Sequence, residues 1–462
     1  MIAAEFDLRK VRNNDPKVTS LRFNLSATFP PGECFSVKHV EACLQSNTHL
    51  KTIVVFLDAS LVSPNAGIEI SSKYGGVLKS LGQLPSLTCL HFSSGPKARG
   101  ILPVRVLIPL LQETQHLKTL LLSDLDLSGT KQDFDDLAAI MHRLWYLEYC
   151  SFTAIELYHP SRSTSGVVVS PGGGKEEIGG STSASSSSLS GVIISLSMLP
   201  SLRTLTLTTT KKTQTTPCIP TVGISTNRSL HSMSLSESAA SALFLSSSIK
   251  TLTLQNWTWT PAHLISMARL LRSNTALQVL DLSSLSVSVD IARALAVALQ
   301  DNVTLRVFKL ELTQMLSNDT ALILAQSLRT QSGLHSLELT GHRLGRVSKS
   351  ITMAFKEMLQ SNFVLRQCLL FRKSFLKPTI EYYTRLNAMG REKVLKVEDT
   401  TMWMRVLSHS VVQEDLNNIY YFLSSNPTLC MRAASDSGKK STTLDKRCAS
   451  DQAHSNKRAK LQ

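Results

Sequence analysis

Apolar residues return along this chain in a repeated motif, L-x-x-L-x-L. The clearest copies are Leu277-Leu280-Leu282, Leu305-Phe308-Leu310, Leu334-Leu337-Leu339 and Leu365-Cys368-Leu370. Their first leucines are spaced by 28, 29 and 31 residues, the length of one supersecondary unit and not of a domain. Upstream the same unit reads at Leu50-Ile53-Val55, Leu87-Leu90-Phe92, Leu117-Leu120-Leu122, Leu147-Cys150-Phe152, Leu202-Leu205-Leu207, Leu230-Met233-Leu235 and Ile249-Leu252-Leu254. Val18-Leu21-Phe23 reads as a divergent first copy, which makes about eleven or twelve units.

Each unit predicts a short strand and its approach turn, with the three apolar positions inward and the residues between them toward solvent. A helix is expected before each strand. Residues 290–302 carry apolar residues at helical spacing, with Asp290 placed as N-cap. Thr260-Pro261 opens a helix over Ala262 to Ser273, proline being favoured in the first turn. Asp133, Asp135 and Asp136 lack the glycine and distal glutamate of a calcium loop and read instead as caps of a helix beginning near Leu137. Several helices close on asparagine, at Asn47, Asn274, Asn302 and Asn362, a residue that tolerates a left-handed turn. The expected fold is an α/β solenoid, a curved horseshoe with parallel strands on the concave face and helices on the convex face.

These units with intervening helices resemble the ribonuclease-inhibitor type of leucine-rich repeat, which also occurs in the Ran GTPase-activating protein and in the sensor region of NOD-like receptors. The resemblance covers roughly residues 36 to 370 and is strongest from Ile249 to Leu370. It implies a scaffold for macromolecular partners and no particular activity. The chain departs from the type in the slot after the third leucine. That slot usually holds Asn or Cys in a backbone-bonding ladder, and here holds Asp58, Leu125, Trp257, Leu285, Thr313 and His342. The ladder therefore reads as degraded. Cys150 and Cys368 occupy middle apolar slots and read as packing residues.

The organisation read from these patterns has six parts. Residues 1–35 form an N-terminal cap or divergent first repeat, and 36–157 the first run of repeats. Residues 158–195 form a Gly/Ser-rich disordered insertion, containing Pro171 to Gly174 and the run Ser181 to Ser188. Gly174-Lys175 fails the phosphate-loop pattern, because Glu176 follows the lysine. Repeats resume over 196–370, with a Thr-rich loop from Thr208 to Asn227. A helical C-terminal cap spans 371–430, in which Ile380, Tyr383 and Leu386, then Trp403, Leu407, Leu416, Tyr420 and Leu423, would cover the last repeat. Residues 431–462 are a basic disordered tail.

Composition sharpens this picture. Leucine is about 15% of the 462 residues, above ordinary usage, while aromatics are 6% and charged residues 18%. A mean hydropathy of +0.03 excludes a chain disordered throughout. The formal net charge is +15. The tail carries eight Lys/Arg and three Asp/Glu, hence 8 − 3 = +5 of it. Its clusters Lys446-Arg447 and Lys457-Arg458-Lys460 are arranged as a bipartite nuclear-import signal would be. Much of the remaining charge falls just after the first leucine of each unit, at Lys51, Lys118, Arg203, Lys250, Arg306 and Arg366, with His231 and His335 between. One basic residue per turn would make an edge stripe, which either serves solubility or steers an acidic partner. Aromatics do not interleave with it, so a base-stacking platform is not expected.

The eight cysteines are scattered without a CxxC pair. The N-terminus has no apolar leader segment, and no run reaches about 18 apolar residues. The best run, Gly100 to Leu111, is interrupted by Pro103, Arg105 and Pro109. A cytoplasmic or nuclear protein with reduced thiols is expected, without a membrane partner.

No motif supplies a nucleophile, base, metal site or nucleotide loop, so neither an enzyme nor a cofactor is expected. The residues flanking the central leucine face the concave side: Thr204 and Thr206, Ser232 and Ser234, Thr251 and Thr253, then a more charged group. Candidate contact residues are Val279, Asp281, Val307, Lys309, Ser336, Glu338, Arg366 and Leu369, with Gln367 beside them. The expected function is a non-enzymatic, monomeric scaffold that binds a protein partner across the concave face. One alternative is a GTPase-activating protein for a small GTPase, which needs a positioned arginine that no residue here matches. The other is a basic nucleic-acid-associated protein, whose binding would fall steeply with salt; nucleic acid is the less expected partner.

Overall fold

A computed structural model describes residues 10–11, 13–25, 37–57, 76–94, 100–157, 184–209, 236–314, 316–341, 348–370, 377–388, 391 and 408. The strands are β1 (Ser20–Leu25), β2 (Thr52–Leu57), β3 (Cys89–Ser94), β4 (Gly100–Pro103), β5 (Thr119–Ser123), β6 (Leu125–Ser128) and β7 (Tyr149–Leu157). They continue as β8 (Thr204–Thr209), β9 (Thr251–Gln255), β10 (Val279–Leu285), β11 (Val307–Leu312), β12 (Ser336–Gly341) and β13 (Gln367–Leu370). The helices are α1 (Val37–Gln45), α2 (76–82), α3 (Val104–Glu113), α4 (Lys131–Met141), α5 (Ala184–Ser197) and α6 (Glu237–Leu245). They continue as α7 (Pro261–Ser273), α8 (Val289–Asp301), α9 (Asn318–Arg329), α10 (Lys349–Ser361) and α11 (Lys377–Ala388).

Among the described residues, eleven strands form one parallel sheet in the order β1-β2-β3-β5-β7-β8-β9-β10-β11-β12-β13. Short β4 and β6 add a second ladder, β4 to β6 to β7, where the chain leaves the sheet. Consecutive helices pack on one another from α3 to α11. Strands stack about 4.8 Å apart while packed helices need about 8–10 Å, so the sheet lines the inner side of the curve. The fold is the α/β leucine-rich-repeat solenoid that the motif predicts.

The motif's three apolar positions make the core. In the unit ending at β10, Leu277, Leu280 and Leu282 are all buried, and α8 closes over them with Ile291, Ala292, Leu295 and Leu299. Removing roughly one such side chain from the core costs about 2–5 kcal/mol. Cys150 fills the middle slot of β7 as a fully buried small side chain, and Cys368 packs against the same core from β13. Val18-Leu21 does begin a repeat, since β1 pairs in register with β2.

The helix starts differ from the expectation in two places. Ser288, not Asp290, caps α8, its hydroxyl accepting from the Ile291 amide. Serine's short side chain reaches the third amide of the turn, leaving Asp290 inside the first turn, where it favours the helix dipole. The same device recurs at Ser236, Thr260, Ser317 and Ser348. α4 begins at Lys131, so Leu137 lies mid-helix; Thr130 and Asp133 form a reciprocal capping box. Leu230, Met233 and Leu235 lie outside the described residues. β8 and β9 are hydrogen-bonded directly, Thr204 opposite Thr251. Helix α5 begins at Ala184, inside the segment read as an insertion, because Leu189, Val192, Ile193 and Leu196 bury one face. The glycine-rich stretch around Pro171 and the threonine-rich stretch 210–227 lie outside the described residues.

The closing asparagines do not turn left-handed. Asn274, Asn302 and Asn362 have φ of −71°, −80° and −84° with extended ψ. They are buried because their side chains do the turning. Asn274 Oδ1 accepts from the amides of Ala276 and Leu277, at 2.9 and 2.7 Å. That frees its backbone carbonyl, which accepts from Asn302 Nδ2 of the next repeat at 3.0 Å. The Asn302 carbonyl accepts from Gln331 Nε2 (3.0 Å), the Gln331 carbonyl from Asn362 Nδ2 (3.3 Å), and the Asn362 carbonyl from Asn387 Nδ2 (2.9 Å). A ladder of side-chain amides thus runs from Asn274 to Asn387. Where leucine replaces asparagine, at Leu84, Leu144 and Leu199, the side chain is simply buried. There the turn closes on its own backbone, with the amides of Leu87 and Leu147 donating to the carbonyls of Leu84 and Leu144.

The slot after the third leucine is a packing slot. Leu125, Trp257 and Leu285 are buried in it. Trp257 keeps a ladder-like bond, its indole N–H donating to the Leu207 carbonyl on the neighbouring strand β8 at 2.9 Å. Thr313 donates its hydroxyl to the Leu285 carbonyl at 3.1 Å. Asp58 and His342 lie outside the described residues. At the C-terminal end α11 buries Ile380, Tyr383 and Leu386 against the last repeat, on the face expected of a cap. Trp403, Leu407, Leu416, Tyr420 and Leu423 lie outside the described residues.

Candidate protein-binding surfaces

In-register pairing turns the two residues flanking each central leucine into continuous rows on the inner face. One row runs Thr204, Thr251, Val279, Val307, Ser336, Gln367. The other runs Thr206, Thr253, Asp281, Lys309, Glu338, Leu369. Strand burial alternates accordingly, with the flanking residues half-buried and the leucines between them fully buried. The middle of the sheet is therefore a carpet of threonines. Ser232 and Ser234 lie outside the described residues.

Charge gathers on β10 to β12. Lys309 Nζ lies 3.5 Å from Glu338 Oε2, an ion pair exposed enough to contribute little by itself. Gln255 Nε2 donates to Asp281 Oδ2 at 3.1 Å. Burial pushes the Asp281 carboxyl above its ordinary range. The Gln255 bond and the Lys309 charge oppose that shift, and the Glu338 and Glu311 charges reinforce it. The carboxylates of Glu338 and Glu311 and the ammonium of Lys309 thus all act on Asp281. Leu369 is exposed beside Glu338 on the terminal strand β13, and Arg366 sits apart from both rows, on the edge next to His335. Towards the other end, His91 lies on the same inner row as Arg22 and Val54. Burial first, and then the Arg22 charge, lowers the His91 pKa.

The residues of the expected edge stripe share one backbone position, but that position does not hold one basic residue per turn. The position is marked by a shared backbone pattern: each carbonyl accepts two amides from the next repeat, as Lys250 does from Gln278 and Val279. Lys51, Lys118, Arg203, Lys250, Arg306, His335 and Arg366 occupy it, but so do Thr88, Glu148 and Gln278. Glu148 pairs with Lys118 at 3.1 Å. Arg306 Nη1 and His335 Nδ1 both donate to the Gly333 carbonyl, at 3.0 and 2.7 Å. His231 and the tail residues Lys446, Arg447, Lys457, Arg458 and Lys460 lie outside the described residues.

Aromatics do meet the stripe at one place. Trp145 and Tyr146 stand in the two turn positions before the first leucine of β7, 65% and 56% exposed, with Tyr149 just beyond at 37%. The Tyr146 ring is tilted 51° against His116 at 5.7 Å. They wall a pocket of ≈ 160 Å³ whose floor is Leu111, Ile140 and Leu144, with Gln112, Gln115 and Arg143 at its rim. A signal for it was present in the repeat register. Most equivalent turn pairs are small or polar, as at Pro85-Ser86, Gln115-His116, Pro200-Ser201, Thr275-Ala276 and Ser332-Gly333, while Val303-Thr304 carries one exposed valine. Phe363-Val364 is the other apolar pair, and Arg391 covers its phenyl ring at 4.6 Å.

Among the described residues no group of three or more His, Cys, Asp or Glu is placed to hold a metal ion, and no helix is long and apolar enough to cross a membrane. No family model matches the chain, and no curated protein matches it in sequence. Among solved structures it is similar to an internalin from Listeria monocytogenes, at 12% identity and a TM-score of 0.35, over 82% of this chain and 92% of that one. It is also similar to the actin-binding site 2 region of leiomodin-1, at 20% identity and a TM-score of 0.25, over 30% of this chain and 80% of that one. Likenesses this remote bear on neither partner nor activity.

Proposed function

We propose that this chain is a non-enzymatic scaffold that holds a protein partner against the inner face of β9 to β13. The observation that carries the reading is Asp281. A half-buried carboxylate with a raised pKa, near Glu311 and Glu338 and with Lys309 as its nearby cation, gains when a further cation arrives. Val279 and Val307 beside it, with Leu369 at the far strand, offer apolar area around that charge, the mixture an interface core uses. The contact partner is expected to present a lysine or arginine to Asp281 within an apolar surround.

The test is affinity capture from cell extract with three baits: the intact chain, the triple variant Asp281→Lys/Lys309→Glu/Glu338→Lys, and Arg293→Glu on exposed helix α8. Proteins retained by the intact chain and by Arg293→Glu should be lost from the triple variant. Equal capture by all three would sink the assignment.

A further inference from the structure

We infer that the edge around Trp145 and Tyr146 is a second docking site, taking a short acidic peptide segment that inserts one apolar side chain between the two repeats. It is separate from the inner face and does not rest on the reading above.

The shape comes first. Trp145 and Tyr146 are large side chains left in solvent although the fold has no need of them there. Leu144 and Leu147 around them are already buried, and the turn closes through the Leu147 amide on the Leu144 carbonyl. The equivalent turns elsewhere manage with Pro-Ser or Thr-Ala. Exposed tryptophan and tyrosine beside an arginine is the composition that dominates binding energy at protein interfaces. The pocket they wall has ≈ 160 Å³, about the volume that holds one benzene-sized group. Leu111, Ile140 and Leu144 line it from the buried side, and because Tyr146 is tilted against the neighbouring His116 the two rings do not make a flat platform. The side-chain amides of Gln112 and Gln115 at its rim can donate to and accept from an extended peptide backbone.

Charge then selects the occupant. Arg143 lines the pocket. The edge row on either side holds Lys51, Lys118, Arg203 and Lys250 against one acid, Glu148, which Lys118 already pairs. A segment bearing aspartate or glutamate on both sides of an apolar anchor complements that row; a basic one is repelled.

The experiment selects random dodecapeptides displayed on phage against the full chain, with counter-selection on Trp145→Ala/Tyr146→Ala. Both side chains are more than half exposed, so this variant should keep the melting temperature of the parent. Enriched peptides should carry an aromatic or aliphatic residue flanked by acids. Their synthetic versions should lose at least about thirty-fold in affinity on the double variant, the factor that corresponds to a hot-spot loss of 2 kcal/mol. Arg143→Glu should weaken them while sparing the fold, and binding should fall with added salt. Asp281→Lys/Lys309→Glu/Glu338→Lys should leave them bound, so this site and the inner face stand or fall separately. The inference is overturned by no enrichment, by enriched peptides without acids, or by peptides that hold equally to the double variant. It is overturned equally if the aromatic pair prefers poly(U), or if its loss instead dissolves a dimer of this chain.

Discussion

Asn302→Ala tests whether the amide ladder holds the C-terminal repeats together. Asn302 is 2% exposed. Its Nδ2 donates to the carbonyls of Leu271 and Asn274, at 2.6 and 3.0 Å. Its Oδ1 accepts from the amides of Thr304 and Leu305, at 3.0 and 2.8 Å. The Thr304 hydroxyl also reaches Oδ1, at 3.2 Å. Alanine removes all five bonds, but their losses are unequal. The Asn274 carbonyl keeps the Thr304 hydroxyl at 3.1 Å, and the Leu271 carbonyl keeps the Asn274 amide at 3.3 Å. The Leu305 amide keeps nothing and is fully buried, and the Thr304 amide is half-buried. A buried donor left without a partner costs about 1–3 kcal/mol, so the two together should cost about 2–5 kcal/mol. Urea unfolding followed by far-UV circular dichroism reads the total. Because solenoids need not unfold in one step, amide exchange should place the loss in β10 to β12 and leave β2 and β3 protected. Asn302→Leu is the sharper control, since leucine fills this position natively at Leu84, Leu144 and Leu199. It should not rescue, because with an extended ψ of 116° the Asn302 carbonyl points to Gln331 of the next repeat and not back at the Leu305 amide. A loss below about 0.5 kcal/mol, the scatter of ordinary surface substitutions, or wild-type stability in the leucine variant, would refute the ladder.

Three further outcomes are expected. Asp281 has a folded pKa raised above its ordinary 3.8, so its ionisation opposes folding above the folded pKa and the cost disappears as pH falls towards 3.8. Asp281→Asn should therefore raise the melting temperature at pH 7, with no gain near pH 3.8; destabilisation at pH 7 would contradict the burial argument. Burial pushes the Cys368 thiol up to about 12 and raises that of Cys150 as well, so mass-mapped alkylation at pH 8 should modify both only after denaturant is added. Prompt labelling of either in the folded chain would count against the packing role. Arg391 donates to the carbonyls of Leu359 and Gln360 at the end of α10 and lies between the rings of Phe363 and Tyr383. Arg391→Met should cost about 1.5–3 kcal/mol, the range for hydrogen bonds to a charged group, and should open the chain near α11 to limited proteolysis first.

The fold was legible because the motif is a statement about burial. Leu277, Leu280 and Leu282 and their counterparts repeat every 28 to 31 residues, and a stack of strand-and-helix units buries them all. Spacing failed where chemistry, not periodicity, decides. Asparagine after a helix has two uses, a left-handed backbone or a side chain that replaces a carbonyl, and the sequence alone does not separate them. The buried Asn274 chooses the second because its carbonyl is wanted by the next repeat. Leu230-Met233-Leu235 matches the motif but begins only 19 residues before Ile249 (249 − 230), short of the 28 to 31 of the clear copies, and it lies outside the described residues. Of the inner-face residues, the rows were readable from alternation, whereas the raised pKa of Asp281 was not, since it comes first from burial, opposed by Gln255 and Lys309 and reinforced by Glu338 and Glu311 across β9 to β12. Trp145 and Tyr146 went unread because an apolar pair beside leucines looks like core until the register shows it stands in a turn.

The two kinds of junction imply a division between the two surfaces that can itself be measured. In the asparagine junctions the amides just before the first leucine turn inward to Oδ1, and the ladder ties each repeat to the next. That fixes the spacing of β10, β11 and β12, and with it the distance between Asp281, Lys309 and Glu338. A partner meeting a fixed set of charges pays less ordering entropy than one meeting a loose set. In the leucine junctions each turn closes on itself, so the Trp145 edge depends on its own two repeats and not on the ladder. Asn302→Ala should therefore weaken capture on the inner face by more than its distance from Asp281 would suggest. At a urea concentration where the variant still keeps its overall circular dichroism signal, acidic peptides selected at the Trp145 edge should bind it as they bind the parent. Equal weakening at both surfaces would show that the solenoid responds as one body, and the division between the junction types would be wrong.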